Sequence, residues 1–269
     1  MFTDQLKMMV DKLSGQNLFQ SLTNVLKGAV YGETSFVEQI TQVLIPIAIS
    51  LVTIFWLLNF LDKLIRFRDN NFGWEHITMI CVQLVIAKYC VQFAPKILDI
   101  MATIGDAVSS SIQLGSNVEL KLNSTALIDS IEKMSTLNRL LTIIQLYIPG
   151  LMATLLSLGM YIVVYARGIE LLLLGAFSPL PMSTIMFDNT KEVGKRYLQN
   201  YLAVCLQAGV LMSIIALGSS IMQSIVTSQS ASDALSFGGL FLELIMYYGV
   251  MLFAFFKSGS WAQKIVGLG

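Results

Sequence analysis

ARGIELLLLGAFSPLPMSTIMF, residues 166–187, is an apolar run with prolines at 179 and 181 near its middle. It opens on a charge pair, Arg167 and Glu170. The run is about as long as a membrane span, which takes roughly 20 apolar residues. Each proline removes a backbone donor and clashes with the turn before it. Each also pushes its predecessor, Ser178 or Leu180, toward extended geometry, so Ser178 to Pro181 is expected to be non-helical. The arms on either side, about ten and about six residues, would reach only about 15 Å and about 9 Å. Neither crosses a hydrocarbon core of about 30 Å. Lipid cannot satisfy bare carbonyls, so a broken backbone at that depth is enclosed by protein or lines water. Two readings follow: a re-entrant hairpin over residues 171–187, or a kinked sixth span.

Working outward, the whole chain has a membrane composition. Of its 269 residues 55% are apolar and 13% charged, against roughly 25% charged in soluble domains. Apolar segments long enough to be read as spans fall at about residues 40–61, 77–93, 140–166, 201–226 and 237–256. The second is short and interrupted by Lys88. Residues 94–139 form a longer polar stretch, amphipathic over 97–112. Near the N-terminus, Leu6, Met9, Val10 and Leu13, then Leu18, Leu22, Val25 and Leu26, recur at helical spacing beside lysines. They predict amphipathic helices lying on a membrane or a partner. The expected fold is therefore an all-α, polytopic integral membrane protein. It has N-terminal amphipathic helices over 1–38 and a transmembrane helical domain over 39–269, with about five spans and a broken segment at 167–187.

Lysine and arginine placement orients it. If 171–187 re-enter, then Lys63, Arg66, Arg68, Arg167, Lys191, Lys195, Arg196, Lys257 and Lys264 share one side, more densely than positives occupy the other. That side is then the cytoplasm, with the C-terminus in it and the N-terminus outside. Residues 94–139 are expected outside as well. MFTDQLKMMVDKLSGQ lacks the apolar core and cleavage site of a signal peptide. No internal repeat of the inverted-transporter kind is visible.

Enzyme signatures are missing from the sequence. There is no phosphate-binding GxxxxGK[ST], no HExxH and no GxSxG, and His76 is the single histidine. Cys81, Cys90 and Cys205 sit in apolar segments without CxxC spacing. The expectation is no catalysis, no cofactor and no metal.

The segment ARGIELLLLGAFSPLPMST, followed by the basic KEVGKRYLQNYLAVCLQAG and another span, resembles the TrbL-like polytopic subunit family of type IV secretion and conjugation machines. The likeness is to the shorter, Gram-positive versions. It is good over about Gln145 to Gly218 and, in the N-terminal third, a matter of layout. It implies a cytoplasmic-membrane subunit of a translocation channel for DNA or protein cargo. Such a subunit works as a homo-oligomeric ring with other secretion subunits and separate ATPases. In that family the arginine and the Ser-Pro-Leu-Pro stretch, here Arg167 and Ser178 to Pro181, lie in the most recognisable part.

Other residues carry two readings each. Arg167 and Glu170, three apart on one helical face, form an ion pair or snorkel to headgroups separately. Lys88 and Glu243 lie at similar depths, and either pair or reach the interface independently. Gln207, among Gly209, Ser213, Ala216, Gly218 and Ser219, packs helices together or lines a pore. A small-molecule permease and a non-conducting membrane scaffold are the competing functions.

Overall fold

Seven helices make up the described residues of the computed structural model, which are 34–66, 74–115, 136–229 and 237–268. In chain order they are α1 (Thr34–Arg66), α2 (Trp74–Gln92), α3 (Ala94–Gly115), α4 (Thr136–Phe177), α5 (Pro179–Met182), α6 (Lys191–Gln229) and α7 (Phe237–Val266). There is no strand among the described residues. The amphipathic helices expected at the N-terminus fall outside them up to residue 33, as does the polar stretch 116–135.

Among the described residues, four helices are long and apolar enough to cross a membrane: Val37–Ile65, Tyr147–Phe177, Lys191–Met222 and Leu242–Val266. The second expected span ends too early alone, because Ile77–Gln92 passes that test only together with Ala94–Ile112, at a bend of 61°. The pair raises the count among the described residues to five at most, as a broken span or a re-entrant loop. Apolar side chains are exposed along these helices, on α1 at Val43, Ile47, Ile54, Leu58, Leu61 and Ile65. Soluble monomers rarely expose apolar surface on this scale. The fold is that of a polytopic α-helical membrane protein.

Three boundaries differ from expectation. The third span does not stop at Ala166; α4 runs through Arg167 to Phe177, 42 residues in all, since nothing in RGIELLLLGAF breaks a helix. Ser178 to Pro181 is not extended. Ser178 holds αR angles, φ −54° and ψ −36°, and Pro179 opens a new helical turn. A proline in the first turn loses a donor that has no intrahelical acceptor anyway and brings a suitable φ. The C-terminal tail is also helical, to Val266. There Gly267 takes φ +84°, and the Gly267 N–H donates to Lys264 O and the Leu268 N–H to Gln263 O. This is a Schellman ending, which glycine permits without a Cβ penalty.

The helices supply two compact units. One draws on Ser109–Ala166 and Ala208–Ser258. Its core pairs Ala153, Leu156, Met160 and Val164 of α4 with Ala208, Leu211 and Met212 of α6 and Leu244, Tyr248, Met251 and Phe255 of α7. Steps of three and four put each set on one helical face. At Gly218 an added Cβ would come within 2.2 Å of the Met251 side chain, so glycine sets how closely α6 and α7 approach. The other unit draws, among the described residues, on 34–108, on Arg167–Gln207 and on the stretch from Gly259. In it Ala48 and Val52 of α1 meet Ala87 and Val91 of α2, with Phe187. Leu98 of α3, Leu171 of α4 and Tyr201, Val204 and Cys205 of α6 form a second cluster.

Candidate functional site

The interrupted stretch after α4 belongs wholly to the second unit. A helix leaves its last four carbonyls without intrahelical donors, and here different parts of the fold attend to three of them. The Tyr197 hydroxyl of α6 donates to Leu174 O. The Ser178 N–H donates to Gly175 O at 3.3 Å. Thr41 of α1 bonds mainly to Val37 O, at 2.7 Å, and reaches Ala176 O more weakly at 3.4 Å.

Beyond Ser178 the turn satisfies itself. Ser183 Oγ donates to Leu180 O at 2.6 Å, Thr184 Oγ1 to Pro181 O at 2.7 Å, and Thr190 Oγ1 to Thr184 O at 3.1 Å. Leu180 O and Pro181 O also accept the Ser183 and Thr184 N–H groups, so these hydroxyls add a second donor to each carbonyl. α5 packs against both α1 and α2. Ser178, Pro179, Met182, Ser183 and Phe187 are buried, and the Phe187 ring lies 6.3 Å from that of Phe55. The break is therefore enclosed by α1 and α2 of the same chain. Among the described side chains, Ser178 Oγ is buried and without a hydrogen-bond partner.

Polar groups continue along this side of the unit. Asn59 Nδ2 and Lys63 Nζ both donate to Gln83 Oε1 at 3.4 Å. Lys63 lies 3.8 Å from Asp188, which also pairs with Lys191 at 3.6 Å. Trp56 Nε1 donates to Ile80 O at 3.0 Å.

Arg167 occupies a separate place within α4. Its side chain is 4% exposed, where an uncompensated charge is costly in or out of a membrane. Nε donates to Val204 O at 2.8 Å and Nη2 to Cys205 O at 3.2 Å. Each of these carbonyls has a second lone pair beyond its helical bond. Asp106 of α3 and, more weakly, Glu170 are in electrostatic range of the guanidinium. On α3, a Cβ at Gly105 would sit 2.8 Å from Cys205 O. The arginine and the bare glycine backbone thus converge on one carbonyl of α6, and together hold α3, α4 and α6.

The residues singled out by sequence therefore separate. Arg167 binds carbonyls of α6, and the Glu170 side chain is exposed. Pro179 is buried and Pro181 half-buried. Gln207 is buried, and its amide lies 3.4 Å from where a Cβ on Gly259 would stand, which puts it against α7. Lys88 and Glu243 are both exposed and belong to different units. Sequence reading overlooked Gly105, Asp106, Tyr197 and Thr184. Thr184 had a signal, a hydroxyl three residues after a proline; the other three act across long separations.

Comparison with known families matches residues 28–179 to the TrbL/VirB6 plasmid conjugal transfer like protein family. The chain belongs to this family. The match reaches further toward the N-terminus than the resemblance read from the sequence, and it ends at Pro179. No curated protein and no solved structure matches significantly. The TrbL/VirB6-like chain is thus a multi-pass membrane component of the conjugal-transfer, type IV secretion kind.

Proposed function

We propose that this TrbL/VirB6-like chain is a subunit of a translocation channel that passes DNA or protein across the cytoplasmic membrane. It acts as a homo-oligomeric ring beside other secretion subunits and separate ATPases, and carries no catalytic site of its own. The observation that carries this reading is the family match over 28–179, joined to several membrane-length helices. The positive residues discussed above favour an N-terminus outside and a C-terminus in the cytoplasm.

Enclosure of the proline turn by α1 and α2 bears on where subunits would meet. A ring contact is not needed to cover the break, so the exposed apolar faces of the long helices are the better surfaces for it. One observation favours the permease alternative: the bend at residues 92–94 is a second interrupted element, and transporters use such elements at midplane sites.

The experiment is to delete the chain from a donor cell, measure transfer, and determine the particle mass of the purified protein in mild detergent. Loss of transfer with a stable multimer supports the channel; a monomer retaining a small solute replaces it with the permease. Cysteine labelling at Asn189 and Gly259 tests the orientation, which requires both to be accessible from the cytoplasmic side.

A further inference from the structure

The first turns of α6 and the loop before them form an open groove of about 470 Å³, lined by Ile185, Lys191, Glu192, Lys195, Leu198 and Gln199. Its shape depends on Gly194, where a Cβ would stand 3.0 Å from Pro181 O and 3.1 Å from the Ile185 side chain. The bare glycine lets α6 start close against the proline turn, and Ile185 becomes one wall.

We infer that this groove binds an anionic phospholipid, its phosphate near Lys195 and an acyl chain along Ile185 and Leu198. Depth is the first argument. The charged residues of α6 are Lys191, Glu192, Lys195 and Arg196, and none follows as far as Gln229. The hydrocarbon boundary therefore falls just beyond Arg196, which puts residues 191–199 at headgroup level. The candidate span Lys191–Met222 has 32 residues, about 48 Å of helix, enough to extend past the core into that layer.

Charge is the second argument. Lys191 is engaged by Asp188 at 3.6 Å. Among the described residues Lys195 and Arg196 have no ion-pair partner, and both are exposed. Glu192 on the same rim opposes an anion, which leaves Lys195 as the cation free to take a phosphate. The mixture of walls is the third. A free phosphate has no use for Ile185 and Leu198, whereas a lipid fills both the polar and the apolar side. Basic pockets beside membrane helices bind acidic headgroups in this way. The inference does not depend on cargo or ring size.

The test uses the full chain purified in detergent, titrated with phosphatidylglycerol and with phosphatidylcholine of the same chain length, counting bound lipid by native mass spectrometry. Phosphatidylglycerol should bind several-fold tighter. Lys195→Gln should weaken it about fivefold, Lys191→Gln less because Asp188 already engages that lysine, and Lys195→Arg should retain it. Glu192→Gln should bind more tightly than the parent. Equal binding of the two lipids, unchanged binding by Lys195→Gln, or inorganic phosphate competing at the affinity of phosphatidylglycerol would each overturn the proposal.

Discussion

At residues 93–95 the chain turns by 61° without abandoning helical bonding: the Phe93 N–H reaches Tyr89 O at 2.9 Å and the Ile97 N–H reaches Phe93 O at 3.0 Å. At residues 178–190 a second proline interruption takes the form of one short helical turn followed by a run of turns. Pro95 stands at the second position of α3, where a missing donor costs little, and Phe93 is 45% exposed. Pro179 and Pro181 also lie in a first turn, but several carbonyls nearby need donors. Tyr197 supplies one to Leu174 O, and the Ser183 and Thr184 hydroxyls add a second donor to carbonyls that backbone N–H groups already reach. A proline at a helix start is thus tolerated either by bending or by enclosure. Enclosure occurs where a long helix ends at the break and its last carbonyls take donors from other helices.

The largest contrast should come from cutting the aromatic at each break. Phe187→Ala removes a ring that is 1% exposed and should cost about 3–5 kcal/mol. Phe93→Ala should cost far less. Thermal melting in detergent reads both, and equal losses would dissolve the distinction between the two breaks.

Replacing prolines comes next. Pro179→Ala with Pro181→Ala frees the unfolded chain and should lower stability by about 1–2 kcal/mol. Transfer should fall while membrane insertion stays normal. Pro95→Ala alone should cost about half as much, and a cell-based transfer assay beside the melting curve separates folding from function.

Thr184→Val keeps the shape and the Thr184 N–H bond to Pro181 O but removes the hydroxyl donor to it, for an expected loss of about 1 kcal/mol. A melting point at the parent value would mean that the hydroxyl bond contributes nothing to the turn. The smallest effect has the opposite sign. Ser178→Ala deletes a buried, unpaired hydroxyl, so the melting point should stay level or rise. A fall in the isolated protein breaks the account of the turn. A stable variant defective in transfer would instead give the hydroxyl a role in the assembled machine.

By itself the sequence determined the helical membrane class and the end of a helix at Phe177. Both rest on composition and on proline chemistry, which act within a few residues. It also determined family membership, through local patterns of residue type. The tertiary structure alone decided what encloses the break. Nothing local to residues 178–187 distinguishes lipid, water, another copy or α1 and α2, and the answer lies in helices that end at Arg66 and Gln92, far earlier in the chain. The same holds for Arg167. Its spacing from Glu170 pointed to a neighbour on the same helix, yet the carbonyls of Val204 and Cys205 satisfy it across 37 and 38 residues. A buried guanidinium needs fixed acceptors close at hand, and only packing brings them there. Helix α3 had read as part of a polar stretch because its periodicity records one apolar face. That this face lies against α4 and α6 depends on Gly105, whose missing side chain carries no periodic signal at all.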